Sequence, residues 1–321
     1  MNILVTGCAG FIGYHLCKVL CHNTKLKIIG IDNLNSYYSL KLKKDRLNII
    51  KKNKNFIFEK IDLTNDKKLK SIFKKYKISV VYNLAAQAGV RYSISNPQKY
   101  TQSNLIGFFN LIECSRNYNV DHFISASTSS VYGDNKNFPL YENHNTDQPI
   151  SFYAATKKSN EVIGYSYSYI YKMKITFLRF FTVYGPMGRP DMSLFKFVQA
   201  IKKNKKIDLF NYGKHERDFT YVEDVALILK KLINKPSRSS IPYQLFNVCS
   251  NNPIKLKKFL KIIENGLNKK ARFNSISLQK GDIVKTHGNN DKLQKKIGKI
   301  NFTSIETGVK KFIDWFDIYF K

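Results

Sequence analysis

The chain has 321 residues, of which 43% are hydrophobic and 24% charged. That is enough for a sizeable core in one large α/β domain or two smaller ones, and too apolar for a disordered chain. The formal charge of +31 raises nucleic-acid binding, but only eight of the 54 basic residues are arginine and the lysines are spread along the whole chain, so no nucleic-acid partner is expected; a solvated basic surface still collects an anionic substrate.

Along the chain, apolar β-like runs alternate with helical stretches, the pattern of a parallel sheet covered by helices. Strands are expected at Asn2–Thr6, Leu26–Ile31, Phe56–Glu59, Val80–Leu84, His122–Ala126 and Ile175–Phe180, and helices at Gly13–His22, Asp66–Tyr76, Pro97–Tyr118 and Tyr153–Tyr171. Beyond Phe181 the pattern loosens. Pro186, Gly188 and Pro190 mark a loop, a helix follows near Leu194–Lys203, and a last amphipathic helix lies near Ile305–Phe316. The helix Val222–Leu232 and the strand Tyr243–Val248 read as a return to the sheet. No stretch approaches the roughly 18 consecutive apolar residues of a membrane span. The N-terminus has no positive charge ahead of its apolar run and no small-residue cleavage site behind it, so no membrane partner, no signal peptide and a cytoplasmic location are expected.

The first strand runs into TGCAGFIG (Thr6–Gly13) and then a helix. Gly7 permits a tight turn, Gly10 lets the backbone approach a pyrophosphate, and Gly13 lets the helix pack closely on the strand. The helix N-terminus then offers unpaired N–H groups to phosphates. Asp32 follows the second strand, where a carboxylate accepts from adenosine ribose hydroxyls and repels a 2′-phosphate. No Lys or Arg follows it before Lys41, so the cofactor expected is NAD rather than NADP. Asp62 either holds the adenine edge or caps the next helix. The fold class expected is α/β: a Rossmann-type doubly wound parallel sheet with a smaller α/β substrate-binding domain.

A second motif is YAATK (Tyr153–Lys157). Residues four apart share a helix face. A tyrosine acting as a base must lose its proton far below its ordinary pKa of about 10, and a lysine cation one turn away together with a nicotinamide cation favours that. STSSVYG (Ser127–Gly133) places four hydroxyls at the carboxyl end of the fifth strand, where open α/β sheets bind ligands. The five cysteines are odd in number and scattered, and the six histidines show no HxxxH or HExxH spacing. Neither a disulfide framework nor a metal is expected.

Together these motifs resemble the extended short-chain dehydrogenase/reductase family of nucleotide-sugar epimerases and dehydratases. NLAAQAGVRYSISNP (Asn83–Pro97), RFFTVYGPMGRPDMSLFKF (Arg179–Phe197), GKHERDFTYVEDV (Gly213–Val225) and LQKGDIVKT (Leu278–Thr286) are similar to one branch, the UDP-glucuronate 4-epimerases of polysaccharide synthesis. The resemblance covers essentially the whole chain.

It implies NAD-dependent C4 epimerisation of UDP-glucuronate to UDP-galacturonate through a 4-keto sugar, serving surface or capsular polysaccharide. Tyr153 is the implied base and Lys157 holds the nicotinamide ribose. Thr128 bonds the 4-oxygen, with Ser127, Ser129 and Ser130 as alternatives. Besides the glycine loop, Asp32 and Asp62, the implied cofactor contacts are Phe11, Ile12, Asn33, Leu63, Leu84, Ala85, Ala86, Lys157 and Phe180. A 4-keto uronate is a β-keto acid that tends to lose CO₂. Ser129, Ser130 and Thr182 are therefore read as neutral donors that hold its carboxylate, and related UDP-glucose epimerases carry Asn where Thr182 stands.

Arg189 and Arg217 suit the UDP pyrophosphate as bidentate forks; the competing reading is an ion pair with Asp191 and Asp218 respectively. Asp282 accepts from the uridine ribose or is a turn residue after Gly281. Arg91 approaches the substrate or holds a loop. Some relatives carry Arg where Lys280 stands, and the family often shows Trp where Met187 stands. The implied domains are 1–181 plus about 219–248 for NAD and about 182–218 plus 249–321 for the UDP-sugar, and the implied assembly is a homodimer through Pro97–Tyr118 and Tyr153–Tyr171.

The rivals are a 4-epimerase of another UDP-hexose, a decarboxylase or dehydratase of the same fold, and a non-enzymatic NAD sensor or nucleic-acid binder. A dehydratase needs an acid beside the hydroxyl run, and Ser127–Ser130 holds none. The intact set of Tyr153, Lys157 and Thr128 opposes the non-enzymatic reading.

Overall fold

The computed structural model describes residues 1–279 and 281–321; Lys280 lies outside the described residues. In chain order the first half runs β1 (Asn2–Thr6), α1 (Phe11–Cys21), β2 (Lys27–Asp32), α2 (Leu40–Ile50), β3 (Phe56–Lys60), α3 (Asp66–Tyr76) and β4 (Val80–Asn83). It continues with α4 (Val90–Ser95), α5 (Pro97–Tyr100), a π-helical segment (Thr101–Ile106), α6 (Gly107–Asn117), β5 (His122–Thr128), α7 (Phe152–Tyr171) and β6 (Ile175–Phe180). The second half runs β7 (Thr182–Tyr184), α8 (Ser193–Lys202), β8 (Lys206–Phe210), β9 (Glu216–Tyr221), α9 (Val222–Leu232) and β10 (Tyr243–Val248). β11 (Pro253–Lys255), α10 (Leu256–Leu267), β12 (Arg272–Ile276), α11 (Asp291–Ile297) and α12 (Ile305–Tyr319) complete it.

Seven strands form one parallel sheet in the order β10-β6-β5-β4-β1-β2-β3. Its strands read as unbroken apolar runs because both faces are covered. Successive β1 side chains point to opposite sides: Ile3 and Val5 pack into a core with α1, α2 and α9, while Leu4 joins a second core with α3 and α6. The strand order reverses between β1 and β4, which opens a crevice at the carboxyl ends of the strands. β10 lies beside β6 in this sheet.

The remaining strands form two small sheets, β11-β9-β7 and β12-β8. Their core is aromatic, built from Phe195, Phe219, Phe259, Phe312 and Phe316 among others, with Phe219 stacked on Phe259 at 4.2 Å. Among the described residues no helix is long and apolar enough to cross a membrane.

Two elements differ from expectation. The helix α2 has no counterpart among the expected elements; it carries four basic residues and turns Leu42, Lys43, Arg46, Leu47 and Ile50 inward, so two cations complete its buried stripe. The run Pro97–Tyr118 is helical but interrupted by the π-helical turn at Thr101–Ile106. Such turns gather at functional sites, and this one aims the buried Asn104 at the loop after β4 and at α7.

Candidate active site

The glycine loop sits at the carboxyl end of β1. Gly7 has φ +69, and a Cβ on it would come within 2.8 Å of the Ala85 nitrogen; a Cβ on Gly13 would meet the Gly7 carbonyl oxygen at 2.1 Å. Gly10 caps α1 without a side-chain hydrogen bond, and no acid stands in the first turn. The free N–H groups of α1 thus face a concavity that only glycine leaves open, which suits a pyrophosphate. Asp32 closes the cradle. Its carboxylate accepts from the Ala9 N–H at 3.2 Å and from the Leu34 N–H at 2.8 Å. Burial raises its pKa, while those N–H groups and the charges of Lys43 and Arg46 pull it down.

Asn33 donates to Asp62 at 2.7 Å, so these two residues form one edge of the crevice, with Leu63 buried behind them. Asp62 also accepts from the Thr64 backbone at 2.9 Å, while the helix α3 is capped by Asn65 instead. Opposite, Thr6 accepts from the Leu84 and Ala85 N–H groups at 3.1 and 3.0 Å, which fixes the Leu84–Ala86 turn beside the glycine loop. Phe11 and Phe180 are buried and Ile12 is half-buried against the same core.

Helix α7 carries Tyr153 and Lys157 one turn apart. Burial pushes the Tyr153 phenol above its usual value, and the neighbouring Thr128 hydroxyl and the Arg189 charge draw it back. Lys157 is 2% exposed, and burial lowers its pKa to about 8 against the pull of Glu161. Its ammonium makes no hydrogen bond to any described residue, which leaves a buried donor one turn from Tyr153.

Within the hydroxyl run, the four residues divide. Ser127 donates to Glu161 and faces the support layer beneath the site. Thr128 and Ser130 face each other at 3.3 Å, with the Ser130 N–H donating to Thr128 at 3.2 Å, and Ser129 is buried at the same turn. Thr182, half-buried at the start of β7, lines one small pocket with Phe11 and Arg189.

The arginines meet acids. Arg189 pairs bidentately with Asp191 at 3.0 and 2.5 Å, and Tyr37 donates to that carboxylate at 3.2 Å. Arg217 does not pair with Asp218. It donates to the Val284 carbonyl at 2.8 Å and lies 3.7 Å from Asp282. Asp282 also takes Arg91 at 3.0 Å and stands 3.5 Å from His215 Nε2. Three residues singled out separately, Arg91, Arg217 and Asp282, thus converge on one spot, across which α4 meets the Asp282 segment. Asp218 instead points inward to the Ser250 N–H and hydroxyl at 2.9 and 2.8 Å and to the Gly288 N–H at 3.2 Å, and its burial raises its pKa to about 6.

Four further residues belong to the site's framework: Glu161, Arg179, Asn104 and His215. Only Glu161 had a usable signal, since it continues the Tyr153–Lys157 face by one more turn.

A parallel sheet whose switch point carries a glycine cradle, a carboxylate at the end of the second strand and a Tyr–Lys pair defines a Rossmann-type nicotinamide-dinucleotide enzyme. The sequence profile of the NAD dependent epimerase/dehydratase family matches residues 3–249, and the chain belongs to that family; its cofactor is NAD. The chain is 48% identical over 335 residues to Protein CapI of Staphylococcus aureus, covering 100% of both. It is 41% identical to a UDP-glucuronate 4-epimerase of Thermodesulfobacterium geofontis, covering 97% of this chain and 95% of that one. The crystal structure of UDP-glucuronic acid 4-epimerase from Bacillus cereus, in complex with UDP-glucuronic acid and NAD, matches with a TM-score of 0.93 at 30% identity over 99% of this chain and 100% of that one.

Proposed function

We propose that this protein interconverts UDP-glucuronate and UDP-galacturonate by NAD-dependent inversion at C4, with Tyr153 as the base. The observation that carries this reading is Tyr153 standing beside the Thr128 hydroxyl with the buried, unpartnered Lys157 one turn away. The similarity to the Bacillus cereus and Thermodesulfobacterium geofontis enzymes supports the substrate.

NAD, held by the glycine loop, Asp32 and Lys157, supplies a reversible two-electron acceptor for C4. Tyr153 takes the proton of the 4-hydroxyl and returns it at the end. Thr128 holds the 4-oxygen through both half-reactions. Lys157 keeps a positive charge near the phenol, which favours its ionised form. Arg189 and Arg217 exchange Asp191 and Asp282 for diphosphate oxygens, so the same side chains that pair internally become the anion site. Ser129, Ser130 and Thr182 offer neutral donors to the C5 carboxylate and hold its bond to the ring out of line with the adjacent ketone, which keeps CO₂ from leaving.

Residues 1–181 plus about 219–248 serve NAD, and about 182–218 plus 249–321 serve the UDP-sugar. The protein acts in the cytoplasm as a homodimer in surface or capsular polysaccharide synthesis, a role supported by its similarity to Protein CapI; its scattered lysines do not serve nucleic acid. The experiment is chromatographic product analysis with a panel of UDP-sugars. UDP-glucuronate should give UDP-galacturonate with no CO₂ released and no lasting absorbance at 340 nm. Turnover of UDP-glucose or UDP-N-acetylglucosamine alone would replace the substrate, and accumulating CO₂ would replace the reaction.

A further inference from the structure

Arg46 on α2 is 0% exposed. All five of its donors are used, and each goes to a neutral oxygen. Nη1 donates to the Ala9 carbonyl at 2.9 Å and to the Tyr38 hydroxyl at 2.6 Å. Nε and Nη2 donate to the Met187 carbonyl at 3.2 and 2.6 Å, and Nη2 also reaches the Gly188 carbonyl at 3.3 Å. A buried guanidinium without a paired carboxylate is costly, and a simple strut between two loops does not require a charge.

The two loops it joins explain the charge. Ala9 lies inside the glycine cradle, and its backbone is held on both sides of the Cα, the N–H by Asp32 and the carbonyl by Arg46. Met187 and Gly188 directly precede Arg189. Met187 adopts a left-handed φ of +56, which turns its carbonyl towards α2. A second tie comes from α1, where His15 Nε2 lies 2.9 Å from the Pro186 carbonyl. Three consecutive carbonyls ahead of Arg189 are therefore gripped from the dinucleotide side of the molecule. Only a planar fork with five donors reaches both loops at once; an ammonium does not.

We propose that Arg46 is a positioning residue for both diphosphates, setting the Arg189 loop in register with the glycine loop and placing one buried positive charge between the two anion sites. The inference rests on the nucleotide-sugar reading. It predicts that NAD and UDP, which occupy different loops, weaken together when Arg46 is lost.

The test titrates NAD and UDP separately into the full-length chain by calorimetry, with melting temperature recorded for each variant. Arg46→Met should bind each ligand about tenfold or more weakly, the scale of a lost charge-assisted hydrogen bond. Arg46→Lys, which keeps the charge without the fork, should fall between. Should Arg46→Met not fold, Arg46→Lys and Tyr38→Phe are read in the same way, each weakening both ligands in parallel. Affinities within twofold of the unaltered chain, whatever the melting temperature, would reduce Arg46 to a structural strut, and loss of NAD affinity alone would confine it to the glycine loop; either result overturns the proposal. An unaltered chain that binds NAD but not UDP overturns the nucleotide-sugar reading itself, and the inference with it.

Discussion

The Ser127 hydroxyl donates to Glu161 Oε1 at 2.6 Å, and Arg179 grips the same carboxylate with Nε and Nη2 at 2.9 and 2.8 Å. This buried pair joins the middle of α7 to β6 directly beneath the hydroxyl run. It occupies the Ser127 hydroxyl, so in the proposed mechanism the hydroxyls offered to substrate are those of Thr128, Ser129 and Ser130. Removing one partner of a buried ion pair strands the other charge at a cost of about 3–5 kcal/mol. Glu161→Gln should lower stability on that scale in denaturant titration. Replacing both partners, Glu161→Leu with Arg179→Met, should recover most of the loss. If the double variant is no more stable than Glu161→Gln, the pair is not what holds α7 to the sheet.

Lys157 sets function against stability. Burial lowers its pKa from 10.5 to about 8. Below pH 8 the folded and unfolded chains both carry the proton, and the full penalty of a buried charge applies. Between pH 8 and 10.5 the folded chain releases a proton that the unfolded chain keeps, so stability rises with pH across that window. Lys157→Met should therefore be the more stable protein at pH 7, by on the order of 3 kcal/mol at about 1.4 kcal/mol per pH unit. The difference should close towards pH 10.5, while turnover is lost throughout. Equal melting temperatures at pH 7 would show that the ammonium is better solvated than its burial suggests.

Tyr153→Phe separates chemistry from binding. The phenol hydroxyl is the only atom changed, and a positioned proton-transfer group contributes about 10²–10⁴-fold. Turnover should fall by that factor with NAD affinity kept within a few-fold. Unimpaired turnover would move the base to another group, and the hydroxyls of Thr128 and Ser130 would be the first to examine.

The parts of the molecule legible in sequence are those written in local spacing. The glycine cradle, the alternation of β1, and the one-turn separation of Tyr153 and Lys157 depend on residues within a dozen positions of one another. The illegible parts are pairings across the chain. Arg179 meets Glu161 between a strand and a helix, and Arg91 meets Asp282 across the crevice between two elements far apart in sequence. Adjacency in sequence offers Asp218 as a partner for Arg217, but successive residues of β9 point to opposite faces, so the acid turns into the core while the arginine faces the crevice. Helix α2 was hidden for another reason: its buried stripe includes Lys43 and Arg46, which no hydrophobic periodicity registers.

The long helix α7 leaves an apolar face uncovered in the single chain. Val162, Tyr165 and Tyr169 are 57%, 47% and 57% exposed at a spacing that shares one face. Phe109 on α6 and Ile106 just before it are also exposed. Apolar side chains gathered on neighbouring helices suit a twofold contact between copies. Sedimentation equilibrium should give twice the chain mass, and Val162→Lys with Tyr169→Lys should give a monomer. A monomeric unaltered chain at tens of micromolar would remove the homodimer.

Thr182 tests the choice of acid over hexose. It is half-buried at the first position of β7 and shares a pocket with Arg189. Valine has the shape of threonine without the hydroxyl, so Thr182→Val removes one donor while leaving the volume nearly unchanged. A hydrogen bond to a charged group contributes about 1.5–3 kcal/mol, which corresponds to roughly a 10- to 100-fold loss of affinity for UDP-glucuronate. The affinity for UDP-glucose, which lacks the carboxylate, should change little. A carboxylate held by fewer donors also swings more freely into line with the ketone, so CO₂ should appear in proportion to turnover. Unchanged uronate affinity together with undetectable CO₂ would release Thr182 from the carboxylate and leave Ser129 and Ser130 as its only neutral donors.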